Sequence, residues 1–295
     1  MSINMRCNCP YIICDFHGDC VRCVKHNREV GELAHCMEES AVRMGAALPL
    51  KLPNTVLTDD AEAMSRKSAE MIADTVRKRA DALISLPAGS TAKRTFQILC
   101  EMKQKGEVDF SRAKFVSLDE WLDLADESEN CDAFMRANFY EPAGIDESQI
   151  TRFNVHAADL QAECKRVDQA IFDHGGIDCV LLGIGMNGHL GLNEPGGDFS
   201  DYAKVVQLSE TTMQVGQKYF SDGMALSRGI TLGVHHFFNA HKVVLQVCGA
   251  HKADIMYDLY HTAPTEQLPA TVLKLLPQGV IVTDRSAAAR ILDLI

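Results

Sequence analysis

The sequence predicts an α/β protein, a doubly wound and mostly parallel sheet of Rossmann-like form preceded by a small cysteine-rich segment. Two observations predict it. Short apolar runs alternate along the chain with stretches whose apolar residues recur at helical spacing, the signature of a parallel sheet covered on both faces. Several of those runs end in clusters of glycine and polar residues, and in such sheets ligands sit at the carboxyl ends of the strands. No internal repeat or low-complexity segment interrupts the pattern.

The elements follow in order. Ala61, Met64, Ala69, Ile72 and Val76 recur at roughly helical spacing behind Asp59 or Asp60 as N-cap. An apolar run, ALISLP, comes next and ends at Pro87, and a helical pattern spans Thr91 to Lys105. Strand-like runs then fall at Lys114–Leu118, Cys179–Ile184, Val205–Leu208, Val243–Cys248 and Val280–Thr283, with helical patterns at Ala158–His174 and His251–His261.

Bulk properties narrow the function. A chain of 295 residues that is 46% hydrophobic can bury a full α/β core. Its net charge of -11 excludes a general nucleic-acid or anionic-membrane binder, which needs a basic face. An anionic ligand must therefore meet a local cluster of positive groups. The N-terminus lacks a basic stretch followed by an apolar one, and no apolar run reaches the ~18 residues of a membrane span. A soluble, unexported, cytoplasmic protein is expected.

Cysteines are concentrated before residue 40, where Cys7, Cys9, Cys14, Cys20, Cys23 and Cys36 lie among His17, His26 and His35. With no export signal and only isolated thiols elsewhere, disulfides are disfavoured. A structural zinc held from Cys7, Cys9, Cys14, Cys20 and Cys23 is the preferred reading, because close cysteine pairs turn two thiolates toward one ion. The spacing does not match the common finger patterns, and an iron–sulfur cluster or reduced, redox-sensing thiols are the alternatives. Two prolines in Gly45–Asn54 mark a linker, giving a segment at 1–50 and a domain at 51–295.

Three strand ends carry candidate chemistry. In LPAGST, the small residues Ala88, Gly89, Ser90 and Thr91 stand between a strand and a helix, where backbone N–H groups and the helix N-terminus suit a phosphate. The plainer alternative is an ordinary turn with Ser90 or Thr91 as N-cap. In SLDEW, Asp119 and Glu120 follow a strand directly, and a carboxylate there in a partly dry cleft can act as a general base. Taken alone, such a pair is more often a solvated loop start, and Trp121 a packing residue. Cys179–Gly196 ends in Gly183, Gly185, Gly188 and Gly191 and carries Asn187, His189, Asn193 and Glu194. So many glycines and polar groups imply a backbone folded tightly around a ligand, with a histidine able to transfer protons.

LPAGST, SLDEW and GIGMNGHLGLNEPG resemble the three signature segments of the glucosamine-6-phosphate deaminase and galactosamine-6-phosphate isomerase family, in family order. The resemblance runs from about Val56 to the C-terminus. FVSLDEWLDL, Asn130-Cys131 and NGHLGLNEPG look closer to the galactosamine branch. The resemblance implies an isomerising deamination that turns a 2-amino-2-deoxyhexose 6-phosphate into a 2-ketohexose 6-phosphate and ammonia. On the galactosamine branch the ketose would be tagatose 6-phosphate. His189 stands at the position of the ring-opening group, Glu194 at that of its supporting carboxylate, and Asp119 at that of the base that moves the C2 proton to C1. Lys252 matches a phosphate-binding lysine, and Lys218 and Arg228 both fall where a second basic ligand belongs. Asn187 departs from the aspartate of the glucosamine enzymes; an amide can orient imidazole but cannot stabilise imidazolium by charge.

The resemblance implies no metal or organic cofactor for catalysis, a small sugar phosphate as the ligand, and neither nucleic acid nor membrane as a partner; it leaves room for a homo-oligomer. Three other readings compete. A glucosamine-6-phosphate deaminase would give fructose 6-phosphate by the same chemistry. A 6-phosphogluconolactonase-like hydrolase would not need Asp119. A phosphosugar sensor would keep the phosphate site without the set Asp119, His189 and Glu194.

Overall fold

The computed structural model describes residues 52–295. The cysteines Cys7, Cys9, Cys14, Cys20 and Cys23, and most of the linker, lie outside the described residues. Among the described residues no group of three or more His, Cys, Asp and Glu side chains is placed to hold a metal ion. No helix there is long and apolar enough to cross a membrane.

The chain opens with strand β1 (Thr55–Thr58) and helix α1 (Ala61–Lys78). Asp60 caps α1 by accepting the Ala63 N–H at 2.8 Å, and Met64, Ile72 and Val76 are buried. Strand β2 (Leu83–Leu86), helix α2 (Lys93–Gln104) and strand β3 (Lys114–Ser117) follow. A single residue, Leu118, separates β3 from strand β4 (Asp119–Leu122). Helix α3 (Cys131–Met135) continues through a π turn to Ala143, then come strand β5 (Ile150–Thr151), helix α4 (Leu160–His174) and strand β6 (Cys179–Leu182). The rest comprises β7 (Lys204–Gln207), α5 (Glu210–Gly216), β8 (Arg228–Thr231), α6 (Val234–Asn239), β9 (Val243–Val247), α7 (Ala253–His261) and β10 (Gly279–Asp284).

Seven strands form one sheet in the order β1-β10-β9-β6-β2-β3-β5, and every pair in it is parallel. Every residue of β2, β6, β9 and β10 is buried, which explains why these strands read as predominantly apolar runs. On one face Ile84, Leu86, Phe115, Leu181, Val244 and Val282 pack with Met64, Ile72, Phe96 and Leu99 of α1 and α2. From β2 the chain adds β3 and β5 on one side, then returns to β6 and adds β9 and β10 on the other. The boundary between β2 and β6 is therefore a switch point, where diverging connections leave a crevice at the carboxyl ends.

The second sheet is a departure from expectation. It is antiparallel, in the order β4-β8-β7. Val205–Leu208, read as another strand of the main sheet, lies in this smaller one as β7. Asp119 and Glu120, for which a solvated loop start is the plainer reading of the sequence, open its strand β4. Leu118 is the crossing point, and its carbonyl accepts the Leu232 N–H at 2.8 Å just after β8 ends.

Candidate active site

Four adjacent strands, β9-β6-β2-β3, send their carboxyl ends into a single cavity of about 330 Å³. That size suits a small metabolite. Ala88, Gly89, Ser90 and Thr91 line it after β2, Asp119 after β3, His189 after β6 and Lys252 after β9.

After β2, a 3-10 turn at Ser90–Ala92 runs straight into α2, and neither has an acidic residue in its first turn. The first N–H groups of a helix have no partner within it and carry partial positive charge. After β9, Lys252 ends a similar turn and donates from Nζ to the Ile184 carbonyl at 2.7 Å. Burial, and then the neighbouring Lys218, bring the Lys252 ammonium down to about 8. Lys218 also lines the cavity, its Nζ 5.0 Å from the centre of the Tyr219 ring. Arg228 does not line it. That guanidinium is held outside by Asp123, with contacts of 2.7 and 2.8 Å. Spacing left Lys218 and Arg228 equal; the structure brings only Lys218 to the cavity.

The loop after β6 depends on two glycines. A Cβ on Gly185 would stand only 2.3–2.5 Å from three atoms of the His189 ring, and Gly191, at φ +60°, has Thr231 Oγ1 at 2.9 Å and Asp119 Oδ2 at 3.4 Å from where its Cβ would stand. Both close approaches need a residue without a side chain. Buried Asn193 fixes the loop by donating to the carbonyls of Leu190 and Leu232 at 2.9 and 2.8 Å.

His189 Nδ1 lies 3.1 Å from Thr212 Oγ1 and 3.9 Å from the Glu194 carboxylate. Burial, reinforced by Lys252 and Lys218 and opposed by Glu194, lowers its pKa to about 4, so the imidazole is neutral at pH 7. Asn187 does not bond the ring. It donates to Glu194 Oε2 at 2.8 Å and to Ser209 Oγ at 3.0 Å, and accepts the His189 backbone N–H at 3.2 Å. The expectation that its amide orients the imidazole directly is corrected: it braces Glu194 and the backbone of the loop.

Asp119 and Glu120, successive residues of a strand, direct their carboxylates differently although both meet the Cys131 thiol. Asp119 faces the cavity. Burial, then the nearby Glu120 charge, raise it to about 7, against a hydrogen bond from the Cys131 thiol. Glu120 is 5% exposed and faces away, accepting the backbone N–H groups of Trp121, Cys131 and Asp132 at 2.8, 2.9 and 2.8 Å. Two of these donors open α3, so Glu120 ties that helix to β4; burial raises it too to about 7.

Sequence reasoning missed Thr212 and Tyr219, both of which line the cavity. Ser209 is the N-cap of α5, accepting the Thr212 N–H at 3.2 Å. A serine before an acidic and threonine-rich stretch is the signal that could have located that helix. Of the segment Leu122 to Cys131, only Cys131 lines the cavity. Trp121 both lines the cavity and packs edge-on against Phe220, ring centres 6.2 Å apart.

Residues 58–281 match the model of the family described as glucosamine-6-phosphate isomerases/6-phosphogluconolactonase. The glucosamine-6-phosphate deaminase of Thermoanaerobacter pseudethanolicus is 34% identical over 81% of this chain and 95% of its own length. That of Bacillus pumilus is 35% identical over 80% of this chain and 99% of its own. A solved structure described as a monomeric glucosamine-6-phosphate deaminase superposes with a TM-score of 0.76 at 30% identity, covering 80% of this chain and 99% of that one. The 6-phosphogluconolactonase of Trypanosoma brucei gives a TM-score of 0.62 at 19% identity, covering 81% and 98%, and shares the fold. These relatives lend no support to the galactosamine branch expected from the motifs.

Proposed function

The chain belongs to the glucosamine-6-phosphate isomerase/6-phosphogluconolactonase family, and from that premise we propose that it catalyses the isomerising deamination of glucosamine 6-phosphate to fructose 6-phosphate and ammonia. The observation that carries the proposal is the meeting, in one cavity, of a carboxylate raised to about 7, a neutral imidazole, two lysines and a small-residue turn. A lactonase reading leaves Asp119 without a task, and a sensor reading leaves the proton-transfer set without one.

In this account the phosphate lies against the Ala88–Thr91 turn with Lys252 and Lys218 beside it. His189 serves ring opening by giving a proton to the ring oxygen and taking one from the C1 hydroxyl. The opened chain has a carbonyl at C1, which acidifies C2. Asp119 takes the C2 proton, giving an enolamine, and returns a proton at C1. The resulting C2 imine adds water and splits into the ketose and ammonia. A carboxylate with a pKa near the working pH suits this task, being available as a base and then competent as an acid. No step calls on a cofactor.

Glucosamine 6-phosphate and galactosamine 6-phosphate differ only at C4, and the relatives' names favour the former. Measuring ammonia and ketose from both epimers under matched conditions tests the reading. Preferred turnover of glucosamine 6-phosphate is the expected result; ammonia from neither epimer would overturn the reaction, and a tenfold preference for galactosamine 6-phosphate, about 1.4 kcal/mol, would restore the branch that the motifs suggested.

A further inference from the structure

Five side chains form a continuous polar path from Glu194 to His189, and counting its protons fixes the state of the imidazole. Asn187 is oriented because its Oδ1 accepts the His189 backbone N–H at 3.2 Å, which turns Nδ2 toward Glu194 Oε2 at 2.8 Å and Ser209 Oγ at 3.0 Å. Ser209 Oγ accepts a second hydrogen bond, from the Thr212 N–H at 3.2 Å. A hydroxyl has two acceptor sites and one proton. With both sites filled, the Ser209 proton goes to Thr212 Oγ1, 3.1 Å away. Thr212, accepting from Ser209, turns its own proton to His189 Nδ1 at 3.1 Å. Glu194 does not compete for that nitrogen: its Oε2 is 3.9 Å from Nδ1, beyond hydrogen-bond range, and its Oε1 accepts the Ser209 N–H at 3.2 Å.

We infer that Thr212 is a positioning residue that holds His189 in the tautomer with its proton on Nε2. Nδ1 is occupied as an acceptor, so the nitrogen left for the ligand is Nε2, and the resting imidazole meets a sugar oxygen as a hydrogen-bond donor. A neutral imidazole used in this way stabilises charge developing on oxygen at the start of ring opening. Thr212 lies near the N-terminus of α5, whose cap is Ser209, so the same serine that starts the helix orients the threonine. The role in ring opening rests on the proposed function; the tautomer does not, and it is measured without substrate.

The test is nitrogen NMR of the full chain labelled with ¹⁵N-histidine at neutral pH, with His189 assigned by the spectrum of His189→Gln. Wild type is expected to show a protonated, pyrrole-type Nε2 and an unprotonated Nδ1. Thr212→Val keeps the shape and removes the hydroxyl, and should give a mixture of tautomers, whereas Thr212→Ser should retain the wild-type pattern. Ser209→Ala, which frees Thr212 to accept from Nδ1, is the second variant and should also mix them. With glucosamine 6-phosphate, Thr212→Val should lower kcat about tenfold with KM little changed, and serine should restore it. A protonated Nδ1 in the wild type, or a tautomer unmoved in both Thr212→Val and Ser209→Ala, would overturn the assignment. Absence of turnover in the wild type, with the tautomer pattern as expected, would instead count against the proposed reaction alone.

Discussion

The two sheets divide the labour of the site unequally. The carboxyl ends of the parallel sheet lead into the segments that carry Asp119, His189, Lys252 and the Ala88–Thr91 turn, and Asp119 is also the first residue of β4 in the antiparallel sheet. The connection between strands β7 and β8 of the antiparallel sheet, helix α5 and the 3-10 turn Gln217–Tyr219, delivers Thr212, Lys218 and Tyr219. The first set comprises groups that the proposed chemistry cannot do without. Most of the second sets the orientation, charge and enclosure of the first. In the proposed chemistry the strand ends of the parallel sheet fix where the reacting groups stand, and the connection between β7 and β8 conditions them.

Variants on the two sides should differ accordingly. Asp119→Asn is expected to produce the largest effect, a loss of about a thousandfold or more in kcat with KM little changed, because it removes the group proposed to move the proton. His189→Gln should follow at about a hundredfold. Steady-state kinetics checks both, and a wild-type rate in either would dissolve the distinction between the two sheets.

Gly191→Ala introduces a side chain at φ +60° against Thr231 Oγ1 and Asp119 Oδ2. Destabilisation of about 1–3 kcal/mol is expected, read as a lower midpoint in urea. Smaller still is the contrast between two cations. Lys218→Gln should raise KM for the phosphorylated sugar about tenfold, while Arg228→Gln should leave KM unchanged, because its partner is Asp123 outside the cavity. Equal effects on KM would mean that Arg228 leaves Asp123 when ligand binds.

The pH dependence combines groups from both regions. As the proposed base Asp119 acts in its ionised form, so kcat/KM should rise with pH through about 7, and the loss of charge on Lys252 should turn it down from about 8. The raised carboxylates have the opposite consequence for stability. An aspartate in the unfolded chain loses its proton near pH ~3.9, whereas folded Asp119 keeps it to about 7. Between those values the folded state binds the extra proton, so this contribution to stability is present at low pH and lost as pH rises toward 7. Urea midpoints of wild type and Asp119→Asn across that range read it directly.

Legibility in the sequence followed the same division. Cys179–Leu182 and Val243–Val247 are buried throughout and announce themselves as apolar runs; the groups following them were found with them. β4 was hidden because it starts one residue after β3 ends and begins with two carboxylates. β8 was hidden by Gly229, where a Cβ would strike Leu192. With that sheet unseen, β7 was assigned to the wrong partner strands, and the short helix bearing Thr212 had no place in the fold. Lys218 and Arg228 could not be separated by spacing, since what separates them is the bidentate grip of Asp123 across the β4–β8 pair.

The most direct test of the central claim is a turnover measurement on glucosamine 6-phosphate, following ammonia and ketose together in wild type and in Asp119→Asn. Asp119 moving the C2 proton predicts equal amounts of ammonia and ketose from the wild type and neither from the variant, with the variant still binding the sugar phosphate. Ammonia and ketose from Asp119→Asn at the wild-type rate would contradict it.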